Sequence, residues 1–265
     1  MEPEEIYQIE NEAEQVQKTY EYFCEDSRLN RSQAARVEFL TTVRYIERFL
    51  KPGDRLLDVG AGAGEYSLYF AGLGYEVCAL ELAESNLRAF QKKLRPRDRL
   101  ELVQGNAVDL GRYEDGSFDV VLVLGPLYHL HRDEDKQKCI AEAKRVLKPG
   151  GKLFFAFISN DMVILTEFFR FQDYFTEGDY DKETFRLEDF PFVFHTVDAA
   201  RKVLTDGGIH ILHEVASDGV SELLEDKINA MDDKNYAQYL RYHFYICEKK
   251  ELLGMSNHLL FVGEV

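Results

Sequence analysis

One short stretch settles most of the architecture open to this chain. Leu56-Leu57-Asp58-Val59-Gly60-Ala61-Gly62-Ala63-Gly64-Glu65-Tyr66 reads as a strand that enters a tight glycine turn and leaves it as a helix. Glycines belong where the backbone takes left-handed dihedrals or lets a ligand approach closely. The alternation then continues. Arg55 to Val59 is a buried strand, Glu65 to Leu73 a helix stopped by Gly74, Glu76 to Glu81 a strand, and Ser85 to Leu94 a helix stopped by Pro96. Leu100 to Gln104, Phe118 to Leu124 and Lys152 to Ile158 are further strands, with a helix from Asp133 to Leu147 before the last. Strands alternating with helices imply right-handed crossovers, hence a doubly wound α/β fold around a mostly parallel sheet.

The flanks read differently. Residues 4–25 and 32–50 carry apolar side chains at helical spacing and form a helical N-terminal cap. Residues 160–195 are dense in Phe and Tyr, as a substrate-cap insertion would be. A helix over 196–206, a strand over 209–215, a helical stretch over 221–254 and a strand over 258–265 complete the chain. The last two strands lack a short crossover helix, so an antiparallel C-terminal edge strand is expected. The 265 residues are expected to form a single domain: a cap at 1–50, a cofactor-binding half at 51–159, the aromatic-rich substrate cap at 160–195, and the C-terminal half of the sheet at 196–265.

Composition narrows the partners. Lys plus Arg number 32 against 48 Asp plus Glu, so 32 − 48 gives a net charge of −16. Phosphate backbones and anionic membranes are held mainly by Lys and Arg, so nucleic-acid and membrane partners are not expected. A 45% apolar content supports a full core despite the charge. Cys24, Cys78, Cys139 and Cys247 are scattered, which fits a reduced, cytoplasmic protein. No apolar run approaches the ~20 residues a spanning helix needs, and Met-Glu-Pro-Glu-Glu at the start does not resemble a signal peptide.

The glycine spacing also selects a ligand type. A dinucleotide fingerprint G-x-G-x-x-G would need its third glycine at Glu65, and no Gly-Lys-Ser/Thr of a P-loop follows. An acid at the helix start would repel the pyrophosphate that a helix N-terminus otherwise attracts. The pocket therefore suits a nucleoside without phosphate. Glu81 ends the next strand about 20 residues after the first glycine, where an acid can accept from both ribose hydroxyls.

At this point the chain resembles the class I S-adenosylmethionine-dependent methyltransferases, with a Rossmann-like fold. The resemblance is carried in order by the loop at 56–64, Glu81, Gln104-Gly105-Asn106-Ala107, Phe118 to Leu122 followed by Gly125-Pro126-Leu127-Tyr128-His129-Leu130, and Glu142 to Gly151. It implies S-adenosylmethionine as cofactor. It further implies that Gly60, Gly62 and Gly64 approach its methionine part, that Asp58 orients the amino group, and that Glu81 binds the ribose. Asn106 stands where many relatives have Asp, accepting from the adenine amino group, with the Ala107 N–H facing the ring. The Leu124 or Gly125 carbonyl would face the methionine amino group.

His129-Leu130-His131-Arg132-Asp133 superficially copies a two-metal hydrolase motif. No separate ligand cluster accompanies it, so no metal is expected. His129 is a candidate general base, a role neutral imidazole suits, and Tyr128 a candidate wall beside the methyl group. The cover is expected from residues 1–30 (Tyr20, Tyr22, Phe23) and 160–195, whereas Glu225-Asp226-Lys227 reads as a solvated face. Gly125-Pro126-Leu127-Tyr128 lacks the polar first residue with which base and glutamine methylases receive an amine, so the acceptor is expected to be a small molecule, methylated on N or O. The alternatives are a protein or tRNA acceptor, or a non-catalytic S-adenosylmethionine-binding regulator. The sequence leaves the oligomeric state open.

Overall fold

The computed structural model describes residues 6, 8, 9, 11–22, 26 and 28–265. The Tyr22 side chain, Phe23 and Cys24 lie outside the described residues. The elements run α1 (Glu12–Tyr22), α2 (Arg36–Glu47), β1 (Arg55–Val59), α3 (Glu65–Gly72), β2 (Glu76–Glu81), α4 (Glu84–Lys93), β3 (Leu100–Gln104) and β4 (Phe118–Val123). After a 3-10 turn at Pro126–Tyr128 come α5 (Asp133–Val146), β5 (Leu147–Ser159), α6 (Asn160–Arg170), α7 (Tyr174–Glu177), β6 (Phe194–His195) and α8 (Val197–Asp206). The chain closes with β7 (His210–Ala216), α9 (Glu225–Asn229), α10 (Asp233–Ile246) and β8 (His258–Glu264).

The sheet has the order β3-β2-β1-β4-β5-β8-β7, with the two-residue β6 pairing beside β5. Its first five strands are parallel. The expected antiparallel C-terminal strand is present as β8, but it lies one place in from the edge, between β5 and β7 and antiparallel to both. The edge itself belongs to β7. Alternate residues of the central strands feed opposite faces: Leu57, Val59, Val121, Val123, Phe155 and Phe157 pack on one side with α5 and α8. Leu56, Val120, Leu122 and Phe154 pack on the other with α2 and α3. Burial on both faces is why these strands read as unbroken apolar runs instead of alternating ones.

Two boundaries differ from the sequence expectation for local reasons. The Ser32 hydroxyl accepts the Ala35 N–H at 3.1 Å, capping a turn over 33–35 that leads into α2 at Arg36. The expected helical stretch 221–254 divides, because the Asp232 carboxylate accepts the Asn235 N–H at 2.8 Å and begins a new helix there. Across the glycine turn, the Gly60 and Ala61 N–H groups both donate to the Leu80 carbonyl (2.7 and 3.0 Å), tying the ends of β1 and β2 together.

Candidate active site

A cleft of about 910 Å³ opens at the carboxyl ends of β1 to β4, between the sheet and residues of the N-terminal segment. Ligands of open α/β sheets bind at this end, where crossovers reverse direction. Asp58, Gly60, Gly62, Glu81, Asn106, Ala107, Leu124, Gly125, Tyr128 and His129 all line it. Gly64 does not. Its φ is +87°, and a Cβ there would sit 2.5 Å from the Phe90 ring, so packing of α3 on α4 accounts for this glycine. Gly60 (φ +74°) is needed for a close approach of another kind, since a Cβ would lie 2.8 Å from the Pro126 ring.

Glu81 is almost wholly buried, at 4% exposure. One carboxylate oxygen accepts the Gly62 N–H at 2.7 Å; the other accepts from Ala83 N–H at 2.7 Å and Asn86 Nδ2 at 3.3 Å. Burial nonetheless raises its pKa, with these hydrogen bonds acting in opposition. A carboxylate offers about four acceptor positions, so room remains for one more donor. Asp58 lies deeper, at 1% exposure, and accepts from the Ser67 hydroxyl at 2.7 Å. Burial, with a further contribution from the Glu81 charge, pushes its pKa up to about 6. The cleft therefore presents two buried acids, neither of them paired with a cationic side chain among the described residues, an acceptor set suited to a cationic ligand and unsuited to a phosphate.

Glu65 is neutralised locally. Lys93 bridges it to Asp26 at 2.6 Å to each carboxylate, and Asn30 also donates to Glu65. This latch holds Asp26 and Asn30 against the start of α3, and no local sequence pattern marks it. Arg28, Leu29 and Val16 of the same region also reach the cleft. Asn106 uses its amide oxygen to accept the Val108 N–H at 3.1 Å, closing an Asx turn; a second lone pair on that oxygen is left for another donor.

His129 is buried, and its Nε2 lies 2.8 Å from the Tyr20 hydroxyl. Burial lowers its pKa to about 3, with His131 adding to the effect. A ring so weakly basic, with Nε2 already engaged, is poorly placed to remove a proton. In this geometry the ring engages Tyr20, and the general-base expectation for His129 gains no support from it. Tyr128 and Phe192 flank the ring at centroid distances of 5.1 and 5.2 Å.

A second cleft, of about 940 Å³, adjoins the first and shares Tyr20, Arg28 and Tyr128 with it. Glu38, Asp218, Glu222, Glu225 and His258 also line it, so Glu225 is not merely a solvated acid. Of the aromatic stretch, Phe192 alone among the described residues lines either cleft. Phe168, Phe169, Phe171, Phe175 and Phe185 are exposed instead, and Tyr180 packs with Ile164 and Leu187 in a small separate core. The expected aromatic cap is thus mostly a side structure. His129 and His131 belong to no trio of ligating side chains. Among the described residues, Glu38, Asp218 and His258 form the one such group.

Comparisons with known proteins agree with this geometry. Residues 57–155 match a family model described as a methyltransferase domain. The chain is 37% identical over 101 residues to a demethylmenaquinone methyltransferase of Clavibacter sepedonicus, covering 38% of this chain and 40% of that one. It is 36% identical over 110 residues to a 27-O-demethylrifamycin SV methyltransferase of Amycolatopsis mediterranei, covering 39% and 38%. The chain thus spans about two fifths of the length of these curated relatives. Among solved structures it resembles a SAM-dependent methyltransferase of Methanosarcina mazei (TM-score 0.50, 25% identity, covering 64% of this chain and 86% of that one). The matched segment holds the glycine loop, Glu81 and Asn106 within the sheet that presents them, and residues 57–155 form a methyltransferase domain similar to those of S-adenosylmethionine-dependent methyltransferases.

Proposed function

We propose that the first cleft binds S-adenosylmethionine and that the protein transfers its methyl group to an N or O atom of a small molecule, releasing S-adenosylhomocysteine. The observation that carries this reading is the placement of two buried acids, Asp58 and Glu81, with no cationic partner among the described residues, around a glycine turn that lacks a phosphate-binding fingerprint. S-adenosylmethionine is cationic at both its ammonium and its sulfonium, and when bound it supplies a methyl group already activated for displacement.

The protein's own contribution is then alignment and exclusion of water. Asp58 would hold the amino group, Glu81 would take the ribose with its remaining acceptor capacity, and Asn106 with Ala107 would meet the adenine edge. The Leu124 or Gly125 carbonyl would also meet the amino group. Tyr128 and Tyr20 stand where the two clefts meet, so they would flank the methyl group and the incoming acceptor atom. The His129–Tyr20 contact keeps one side of that junction fixed. A small-molecule acceptor is supported by the second cleft adjoining the first and by the names of the two relatives, a demethylmenaquinone methyltransferase and a 27-O-demethylrifamycin SV methyltransferase. The buried free cysteines Cys78, Cys139 and Cys247 fit a cytoplasmic setting. No helix among the described residues is long and apolar enough to cross a membrane.

The test is a methyl-transfer screen against a whole-cell extract resolved into metabolite, protein and tRNA fractions, using cofactor labelled in the methyl group and mass-spectrometric detection. Label should appear in a small-molecule product. Stoichiometric cofactor binding with label only in protein or tRNA would replace the acceptor class, and binding with no transfer would favour a regulator.

A further inference from the structure

The second cleft carries a feature that the methyltransferase reading does not use. Because β8 runs antiparallel, its first residue, His258, pairs in register with Ile158 near the carboxyl end of β5. That places a residue from the end of the sequence beside the junction of the two clefts.

His258 is held from one side only. Its Nδ1 lies 2.7 Å from Asp218 Oδ2 and 3.4 Å from Glu38 Oε2. Asp218 is itself fixed, accepting the backbone N–H of His258 at 3.1 Å and the Ser256 hydroxyl. Glu38 is gripped by the Arg28 guanidinium through two hydrogen bonds, at 2.7 and 3.2 Å. Among the described residues, the ring's other nitrogen, Nε2, has no protein partner, and His258 lines the cleft with a fifth of its side chain exposed. Burial alone would lower the ring's pKa, but the Glu38 and Asp218 charges outweigh it and raise the value to about 9. At neutral pH the ring is an imidazolium with a free N–H.

The other acids of the cleft are already matched. Glu222 accepts from Arg170 and Asn257, and Glu225 lies 4.0 Å from Arg31. Glu38, Asp218 and His258 are also close enough together to ligate a cation. Such an ion would have to replace the Nδ1 proton and sit against the Arg28 charge, so an ion-pair triad is the better description.

We propose that His258 recognises the methyl acceptor, donating from Nε2 to a carboxylate or another oxyanion on that small molecule, with Asp218 and Glu38 as its positioning residues. This rests on the methyltransferase reading and narrows its acceptor class.

The experiment uses the full chain saturated with S-adenosylhomocysteine, titrated calorimetrically with benzoate and with its neutral isostere benzamide. A charge-assisted hydrogen bond should favour benzoate by about tenfold or more, and His258→Gln should bring the two ligands within about twofold of each other. Retained S-adenosylhomocysteine binding shows that the variant is folded. In the wild type, the ¹⁵N resonance of His258 Nε2 should also shift on adding benzoate. Equal affinity for the two probes, no benzoate binding in the millimolar range, or a preference that survives His258→Gln would each overturn the proposal. So would His258-dependent binding of Zn²⁺ or Mg²⁺ in place of benzoate. In these cases S-adenosylhomocysteine still binds, and the methyltransferase reading stands. Loss of S-adenosylhomocysteine binding by the wild type would instead remove both.

Discussion

Asp58 and Glu81 are placed at a cost to the free protein. A buried carboxylate forced to ionise beside another stores electrostatic energy that a cationic ligand releases. Asp58 should titrate near 6, above its ordinary 3.8, so the stability it contributes is present below about pH 4 and lost as pH rises through 6. Asp58→Asn should therefore raise the melting temperature of the free protein at pH 8, read by differential scanning fluorimetry. The same substitution should weaken cofactor binding. For the wild type, affinity should fall as pH drops through about 6, because the ligand's ammonium requires the ionised form; Asp58→Asn should lack that step in calorimetric titrations. Glu81→Ala should weaken S-adenosylmethionine and S-adenosylhomocysteine alike, by about 1–3 kcal/mol, since it removes a hydrogen bond to the ribose and leaves the Gly62 and Ala83 N–H groups unpaired.

At the scale of elements, the glycine turn separates two requirements that one motif conceals. Gly60 and Gly62 face the cleft, whereas Gly64 lets α4 pack against α3. Gly64→Ala meets both a left-handed backbone and the Phe90 ring, while Gly53→Ala has a similar φ of +92° with nothing within 4 Å. Both should destabilise, and Gly64→Ala should cost about 1–3 kcal/mol more in urea unfolding because it also overpacks a buried contact. Equal losses would show that backbone conformation alone explains the motif's third glycine.

Across the whole molecule, what the sequence made legible followed from local physics. Strands buried on both faces are largely apolar, so β1 and β2 were readable to the residue and β4 nearly so, while the edge strand β3 was readable from its apolar–polar alternation. The candidate cofactor residues were readable because each sits at the end of such a strand, within one crossover of the next. The second cleft was not. Glu38, Asp218 and His258 come from α2, the loop after β7 and the start of β8, and meet only because β8 inserts antiparallel beside β5. Nothing in the local pattern of any of the three marks it. The aromatic stretch misled for the opposite reason: density of Phe and Tyr does not say which way the rings face. The long-range triad has a global signature as well. His258 gains its pKa by folding, so its stabilisation should be complete below its ordinary 6.5 and lost as pH rises through about 9. Melting temperatures should decline over that range in the wild type and decline less in His258→Gln.

The central claim is that the first cleft is a site for S-adenosylmethionine, and calorimetric titration of the intact chain tests it most directly. The account predicts that S-adenosylmethionine and S-adenosylhomocysteine each bind one per chain, and that Glu81→Ala weakens both while NADH gives no heat. Binding of NADH in their place, or affinity unchanged in Glu81→Ala, would contradict it.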